Sequence, residues 1–577
     1  MRVELRSARG GALRLLCCCL LFVVWSAGAR ELPATPPAAA VASAHPLATA
    51  AGREILDAGG NAFDAAIAVA ATLAVVEPYS SGIGGGGFFL LHRAADGFNV
   101  MIDARETAPG AAHRDMYLDD SGDIAAGRSM NGALAAGIPG LPAGIAHLAA
   151  HYGTLPLKTT LAPAIRHARD GFEVTAHYSM MAGFRTDAMN ADPETARIFL
   201  REGAAPALGT RLAQPDLAVT LERMAADGKA GFYTGATAEQ LVAGVRAGGG
   251  LWELSDLARY TVVEREPVIG SYRGIRVISA PPPSSGGIVL IEALNILEGY
   301  DYASLAPTPR AHLTIEAMRR AYRDRAEFLG DPDFTDVPVA RLTAKSHAQA
   351  IAADLLADRA TPSSALKPIA PPPQGDHTTH FSVLDAAGNR VAATLSVNFP
   401  FGCAFTPPGT GVLLNNEMDD FSSKAMTPNG YGLVGVDANA IAPFKRPLSS
   451  MTPTFLETPE RIGILGTPGG SRIISMVLLG TLSYADGRPP SDWVATPRYH
   501  HQYLPDEVLY EPKAFDATAR ADLERRGHTL KLSNREYGNM HAILWDRAHG
   551  EVSAASDPRG EGTALVWQPA AVGAAVK

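Results

Sequence analysis

The chain has 577 residues, of which 47% are hydrophobic and 19% are charged, and this composition is typical of a globular protein with enough apolar material for a core. Its formal net charge of -9 argues against a nucleic-acid-binding protein, which would present a basic face, and chiefly favours solubility. Length alone gives a soft expectation of roughly four domains of about 150 residues each.

The first 29 residues have the pattern of a secretory signal peptide. Four arginines precede an apolar run at residues 15–25, and the small residues 27–29 suit a cleavage site. A membrane-spanning helix is the alternative, but the run is shorter than the roughly 20 residues that a bilayer requires. The pattern predicts an exported protein, periplasmic or extracellular, without a stable membrane anchor.

Three of the four cysteines lie in this leader, so its removal would leave Cys403 alone. A mature monomer with one cysteine cannot form an internal disulfide, and a protein of this size can be stable without one. The simplest interpretation of Cys403 is a small, buried apolar residue.

An alanine-rich apolar stretch follows at residues 48–76 and breaks at Gly59 and Gly60. Asn61 suits the N-cap of a second helix that runs to Val76, and this helix is apolar on nearly all sides, which predicts burial between layers. The loop at residues 82–87 matches G-x-G-x-x-G, but a dinucleotide site needs a strand before it and a helix after it. Here the order is reversed, so the glycines indicate close backbone packing.

The middle of the chain predicts mainly helices between residues 130 and 265, including an amphipathic one at 217–226. A strand at 274–280, a turn at 281–287 and helices at 288–298 and 312–328 follow. Residues 360–377 are rich in proline and small residues, and they predict an extended, exposed linker.

Directly after this linker, Thr378 begins a predicted strand, turn and strand, with Gly388 and Asn389 in the turn. A chain cut before Thr378 would carry a free α-amine and a hydroxyl on one residue. Because such an amine has a pKa near 8, it can act as the base for the hydroxyl nucleophile. A threonine that begins a strand is nevertheless structural in most proteins.

Three downstream segments strengthen the catalytic interpretation, although each also reads as an ordinary surface turn or charged loop. Residues 413–421 contain an acidic cluster beside apolar residues, and residues 445–454 form a polar turn. Residues 466–472 contain two adjacent glycines, whose N–H groups could form an oxyanion hole.

Together these motifs resemble the γ-glutamyltranspeptidase family over nearly the whole mature chain, from about Ala39 onward. The motifs stand in the family's order at residues 61–66, 82–87, 103–109, 281–287, 376–380, 415–421, 446–451, 468–472 and 497–502. The resemblance implies an α+β, four-layer αββα N-terminal nucleophile hydrolase fold. It also implies self-cleavage between His377 and Thr378 into a large subunit, 30–377, and a small subunit, 378–577, that stay together as a heterodimer and need no cofactor.

The resemblance also implies roles for individual residues. Thr378 would be the nucleophile, and its own amine the base. The oxyanion hole would be formed by Gly469 and Gly470. The α-carboxylate of the substrate would be bound by Arg105, Ser449 and Ser450. The α-ammonium would be bound by Glu417, Asp420 and Asn398. This division agrees with the chemistry of a γ-glutamyl group, because a guanidinium suits a carboxylate and carboxylates suit an ammonium. Such a pocket should hold its cation and its anions at opposite sides.

One residue and one segment depart from the family's pattern or vary within it. Ser396 stands where a second threonine usually lies beside the nucleophile, and it keeps the hydroxyl, so processing should be retained but slower. Residues 422–444 occupy the region where some members carry a lid, and the balance between transfer and hydrolysis stays open.

The implied function is a self-cleaving γ-glutamyltransferase and glutathione hydrolase, which passes a γ-glutamyl group from Thr378 to water, amino acids or peptides. A glutaryl or cephalosporin-type acylase of the same fold would prefer a glutaryl or other dicarboxylyl amide, such as a β-lactam side chain, which has no α-ammonium for the acids to hold. A non-catalytic exported binding protein would remain uncut. A zinc hydrolase would need His377, His380, His500 and His501 together, but adjacent histidines on a strand point in different directions.

Overall fold

Two antiparallel β-sheets organise the computed structural model, which describes residues 32–366, 378–422 and 437–569. The strands are β1 (Ala39–Ser43), β2 (Gly86–Arg93), β3 (Phe98–Ala104), β4 (Phe172–Glu173), β5 (Arg211–Leu212), β6 (Val263–Arg265), β7 (Val268–Tyr272), β8 (Ile275–Ser279), β9 (Thr379–Leu384), β10 (Arg390–Ser396), β11 (Thr454–Glu457), β12 (Arg461–Gly466), β13 (Tyr499–His500), β14 (Val508–Tyr510), β15 (Leu530–Leu532), β16 (His541–Asp546), β17 (Glu551–Ser556) and β18 (Thr563–Trp567). One sheet has the order β18-β1-β9-β10-β2-β3-β6, and the other has the order β17-β16-β12-β11-β8-β7.

Helices cover both outer faces of this pair of sheets. They are α1 (Pro46–Asp57), α2 (Ala62–Val76), α3 (Leu141–His151), α4 (Leu157–Asp170), α5 (Ala176–Asn190), α6 (Pro193–Phe199), α7 (Pro215–Asp227), α8 (Ala230–Tyr233), α9 (Gly235–Ala247), α10 (Leu254–Arg259), α11 (Gly286–Glu298), α12 (Pro307–Phe328), α13 (Val339–Leu342), α14 (Lys345–Ile351), α15 (Ile473–Ala485), α16 (Pro490–Ala495) and α17 (Ala517–Arg525). Short 3-10 turns lie at Ala133–Ala135, Tyr302–Ser304, Ser363–Leu366, Glu417–Asp420, Asp437–Asn439 and Gly470–Arg472. None of the helices in the described ranges is long and apolar enough to cross a membrane.

Apolar side chains of the first sheet point to both of its faces, and they contribute to two apolar layers. On β9, Phe381 and Val383 join the core that includes α2, whereas Leu384 joins the core that includes the second sheet. Successive side chains of a strand point to opposite faces, so one strand serves both layers. Strands β9 and β10 contact β12 of the other sheet, while α11 and α15 contact that sheet through β7 and β12. The predicted αββα arrangement is therefore confirmed.

Helix α2 shows how local sequence specifies this packing. Asn61 caps its first turn by accepting from the N–H groups of Phe63 and Asp64, and the Asp64 carboxylate in turn accepts from the Asn61 N–H. All 15 helical residues are buried, and the helix packs against β9 and β10. The predicted start, end and burial of this helix are confirmed.

Several expectations from the sequence need correction. The described residues from Pro33 onward form one compact unit rather than four domains, because β18 near the end of the chain pairs with β1 near its start. Helix α12 begins five residues before the predicted 312, where Pro307 occupies the first turn.

Residues 360–366, the described part of the predicted linker, are not extended as predicted, although Pro362, Ser364 and Ala365 are exposed. Ser363–Leu366 forms a 3-10 turn and Ser363 is buried, because its N–H donates to Asp506 at 2.7 Å and its hydroxyl accepts from Arg319. The leader and residues 367–377 lie outside the described residues.

Candidate active site

Thr378 lies at the start of β9, an inner strand of the first sheet. It immediately precedes Thr379, the first residue of the strand, and the pairing of Thr379 with Leu395 on β10 brings Ser396 beside it. The two hydroxyl oxygens, Thr378 Oγ1 and Ser396 Oγ, are 3.4 Å apart, and Ser396 Oγ also accepts from the Asn398 N–H at 2.7 Å. Thr378 is 7% exposed, so its hydroxyl lies at the bottom of a narrow opening.

A cavity of about 20 Å³ at this point brings together nine of the residues that the sequence analysis selected. They are Arg105, Thr378, Ser396, Asn398, Glu417, Asp420, Ser449, Ser450 and Gly470. These residues come from both sides of the predicted cleavage point, so the cavity depends on both segments of the chain. Gly469 lines an adjoining cavity with Thr378, and His377 lies outside the described residues.

Arg105 is paired directly with both acids of the pocket. Its Nη1 contacts Glu417 and its Nη2 contacts Asp420 at 2.5 Å, with the arginine side chain 1% exposed. The expectation that the cation and the anions lie at opposite sides is therefore wrong for this structure. Buried charges are tolerated when they are paired, and here one guanidinium is shared by two carboxyl groups, which leaves one negative charge unbalanced if both are ionised.

The pocket contains more acid than Arg105 alone can balance. Burial raises the pKa of Glu417 and of Asp420, although the positive charge of Arg105 acts in the opposite direction. The neighbouring Glu106 is also fully buried, and burial together with the charge of Glu417 raises its pKa well above the usual range. A second cation in this pocket would stabilise the ionised acids.

Ser449 and Ser450 form one wall of the pocket. Arg325, which the sequence analysis missed, supports this wall through hydrogen bonds. Arg325 Nε donates to Ser285 Oγ at 2.9 Å, and its Nη2 donates to Ser450 Oγ at 3.2 Å. Ser285 Oγ in turn donates to the Ser449 carbonyl at 2.7 Å. Arg325 is almost fully buried on α12, and burial lowers its pKa to about 10.

Replacing Arg325 should loosen this wall. Arg325→Gln is expected to raise KM for a γ-glutamyl donor about tenfold and to change kcat much less, because a hydrogen bond from a charged group contributes about 1.5–3 kcal/mol. Steady-state kinetics beside thermal melting would test this, with Arg325→Lys as the partial rescue. Arg310→Gln, which removes a half-buried arginine from the same helix, is the control and should leave KM unchanged. A fall in kcat alone would contradict a positioning role.

Gly469 and Gly470 both have left-handed backbone conformations, with φ of 139° and 56°. A Cβ at Gly469 would lie 2.5 Å from Met476 Cε, so a larger residue would not fit without movement. Gly470 begins the 3-10 turn that continues into α15. The first N–H groups of a helix have no partner within it, which leaves them available to an oxyanion.

The adjoining cavity, of about 280 Å³, contains Thr378, Gly469 and a buried acid, Glu77. Glu77 accepts from Thr379 Oγ1 at 2.9 Å and from the Tyr79 hydroxyl at 3.2 Å, and burial raises its pKa to about 7. The sequence analysis missed this residue as well. A single acid that directly follows a predominantly apolar helix was the available signal.

The glycine loop packs against the backbone that supports the nucleophile. A Cβ on Gly85 would lie 2.1 Å from the Ser396 carbonyl oxygen, and one on Gly84 would lie 2.1 Å from the Leu413 carbonyl oxygen. The predicted close packing is confirmed.

Gly85→Ala should consequently displace Ser396. We expect it to lower the free energy of unfolding by about 1–3 kcal/mol, the range for overpacking, and to slow self-cleavage. Chemical denaturation and a time course of fragment formation would measure both effects. Gly183→Ala on α5 is the control for glycine loss, since no atom lies within 4 Å of the added Cβ and its backbone is helical. Unchanged cleavage in Gly85→Ala would contradict the packing argument.

The described histidines of the zinc hypothesis are held by separate partners. His380 contacts Thr394, His500 contacts Ser475, and His501 contacts Asp506. Burial lowers the pKa of His500 to about 3 and that of His501 to about 4. These contacts support structural roles, and Cys403 is buried as predicted. Residues 423–436 of the lid region lie outside the described residues.

Comparison with known proteins gives a consistent result. A family model described as Gamma-glutamyltranspeptidase matches residues 48–567. The "Glutathione hydrolase proenzyme" of Escherichia coli (strain K12) is 43% identical over 525 residues, which cover 90% of each chain. The "Acylase ACY 1 proenzyme" of Pseudomonas sp. (strain V22) is 38% identical, covering 92% of this chain and 94% of the relative. The crystal structure of cephalosporin acylase from Bacillus halodurans superposes with a TM-score of 0.81 at 30% identity, covering 93% of this chain and 97% of that one.

Proposed function

The chain belongs to the gamma-glutamyltranspeptidase family, and from this premise we propose that Thr378 is the nucleophile by which it cuts itself and then hydrolyses or transfers γ-glutamyl groups. It is an enzyme of the N-terminal nucleophile hydrolase class, a γ-glutamyltransferase and glutathione hydrolase. The observation that carries the assignment of Thr378 is the shared cavity, in which its hydroxyl adjoins Arg105, the two acids and Gly470.

In the uncut chain, the Thr378 nitrogen is part of a peptide bond and cannot act as a base. For self-cleavage, Thr378 Oγ1 attacks the carbonyl carbon of His377, the C–N bond breaks, and the nitrogen takes a proton. Water then hydrolyses the resulting ester, which leaves a carboxylate on His377 and a free amine and hydroxyl on Thr378. Ser396 Oγ, 3.4 Å from Thr378 Oγ1, would orient the attacking hydroxyl.

After cleavage, the free amine of Thr378 accepts the proton of its own hydroxyl while Oγ1 attacks the γ-carbonyl carbon of the donor. The N–H groups of Gly469 and Gly470 stabilise the oxyanion that forms. The amine passes its proton to the departing amine, and a γ-glutamyl ester remains on Thr378. Water, an amino acid or a peptide then attacks this ester and regenerates the free hydroxyl.

Substrate binding would proceed by an exchange of ion pairs. A cavity of about 20 Å³ is far smaller than the several hundred Å³ of ordinary ligand pockets, so the side chains must separate to admit a γ-glutamyl group. The α-carboxylate of the donor would replace the acids on Arg105, while its α-ammonium would pair with Glu417 and Asp420. Each buried charge then keeps a partner of opposite sign, and the net charge of the pocket is unchanged because the donor brings one carboxylate and one ammonium.

An acylase is the second candidate, since both the Pseudomonas acylase and the Bacillus cephalosporin acylase are similar to this chain. The deciding experiment compares amine release from a γ-glutamyl anilide and from the glutaryl anilide, which lacks only the α-amine. We expect kcat/KM to favour the γ-glutamyl compound by at least about 100-fold, because two carboxylates face the missing ammonium. Preference for the glutaryl compound would assign the enzyme to the acylases.

We further propose that the protein is exported after removal of residues 1–29. The sequence pattern of this leader supports the proposal, and its residues lie outside those described. N-terminal sequencing of the large fragment after expression in a Gram-negative host would test it. A start near residue 30 in the periplasmic fraction is the expected result, and an intact leader on cytoplasmic protein would refute it.

A further inference from the structure

Three metal-ligating side chains meet on helices that the proposed reaction does not use directly. Glu292 on α11, Asp324 on α12 and His347 on α14 each provide one ligand atom, and all three atoms lie within 4.8 Å of one another. His347 Nε2 is 2.6 Å from Asp324 Oδ2 and 4.0 Å from Glu292 Oε1. Glu292 and Asp324 are buried, whereas the His347 side chain is 15% exposed.

Glu292 supplies an independent sign of a missing partner. It is 0% exposed, its carboxylate oxygens accept no hydrogen bond from the described residues, and a hydrogen bond to Asp324 forms only if one of the two acids is protonated. Asp324, by contrast, accepts from Arg323 at 2.6 Å through its other oxygen. Burying a carboxylate without a compensating charge or donor is unfavourable, so a cation between Glu292, Asp324 and His347 would remove the imbalance.

We propose that Glu292, Asp324 and His347 form a binding site for a divalent transition-metal cation of the Zn²⁺ type. Imidazole and carboxylate ligands bind Zn²⁺ at about 2.0–2.2 Å, which in a tetrahedral site separates ligand atoms by about 3.4 Å. The observed separations of 2.6 and 4.0 Å lie on either side of that value, so small side-chain rotations would suffice. The partly exposed histidine leaves a route for the ion and room for a water as the fourth ligand.

The site would stabilise the substrate wall and take no part in the reaction. Helix α11 begins beside Ser285, which supports Ser449, and α12 carries Arg325 directly after Asp324. A cation bound to both helices and to α14 would fix their relative positions behind the pocket. Its binding free energy would add to the stability of the folded chain.

The competing explanation is a shared proton, with a protonated Glu292 donating to Asp324. Glu292→Gln separates the two explanations, because the amide reproduces the protonated carboxyl group but is a poor metal ligand. His347→Ala removes the nitrogen ligand, and His113→Ala is the matched control, since it removes an exposed histidine elsewhere. All variants are made in the full-length, self-processed enzyme.

The test is equilibrium dialysis of chelator-treated enzyme against Zn²⁺ or Mn²⁺, followed by elemental analysis and thermal melting. We expect one tightly bound equivalent and a higher Tm in the wild type and in His113→Ala, with at least tenfold weaker binding and no rise in Tm in Glu292→Gln and His347→Ala. Turnover of a γ-glutamyl anilide shows that each variant is folded. Equal metal binding by wild type and Glu292→Gln, or no binding and no Tm shift in the wild type, would overturn the proposal.

Discussion

Thr378→Ala should produce a single uncut chain that releases no measurable amine from a γ-glutamyl anilide. The substitution removes the hydroxyl that attacks His377, and without the cut no free α-amine forms. Loss of a nucleophile that acts together with its base costs of the order of 10⁶-fold in kcat. Denaturing electrophoresis and mass spectrometry would measure cleavage, and anilide hydrolysis would measure turnover.

Two further variants make this result specific to the Thr378 hydroxyl. Thr378→Ser keeps a hydroxyl and should still cut and turn over, although more slowly. Thr481→Ala is the matched control, because it removes another fully buried threonine hydroxyl, one on α15 with no hydrogen-bond partner among the described residues. It should cut normally. Cleavage between residues 377 and 378 in Thr378→Ala would show that another group starts the reaction.

Local chemistry in the sequence was sufficient to predict several parts of the fold. Asn61 followed by a segment that is apolar on nearly all sides indicated both the cap and the burial of α2, since N-cap side chains and helix faces act over a few residues. The turn at Gly388 and Asn389 indicated the β9–β10 hairpin that carries Thr378 and Ser396. The four-layer arrangement was implied by the family resemblance, and no pattern in the sequence predicted the strand order within each sheet.

Contacts between segments that are far apart in the chain could not be predicted from local sequence patterns. Arg105 was assigned to the substrate carboxylate, but its direct pairing with Glu417 and Asp420 depends on how the end of β3 meets the distant 3-10 turn at Glu417–Asp420. Arg325 was overlooked because a charged residue on a helix usually faces solvent, whereas here it reaches Ser285 and Ser450. Such roles depend on neighbours that are far apart in the chain.

Asp420→Asn should remove the preference for substrates that carry an α-ammonium. We expect kcat/KM for the γ-glutamyl anilide to fall by about 100-fold and that for the glutaryl anilide to change less than about threefold. A charge-assisted hydrogen bond contributes about 1.5–3 kcal/mol, or roughly 10- to 150-fold, and only the γ-glutamyl compound can lose it. The asparagine keeps the size of the side chain, so packing should be preserved.

The adjacent Asp419 offers a matched control for this measurement. It lies on the same 3-10 turn, but its carboxylate accepts from Ser129 at 2.6 Å and does not line the cavity with Thr378. Asp419→Asn should therefore affect both anilides equally and weakly. Arg105→Lys should reduce both strongly, because the two compounds share the carboxylate that the guanidinium would bind. An equal loss on both anilides in Asp420→Asn would mean that Asp420 holds Arg105 in place and that another group recognises the ammonium.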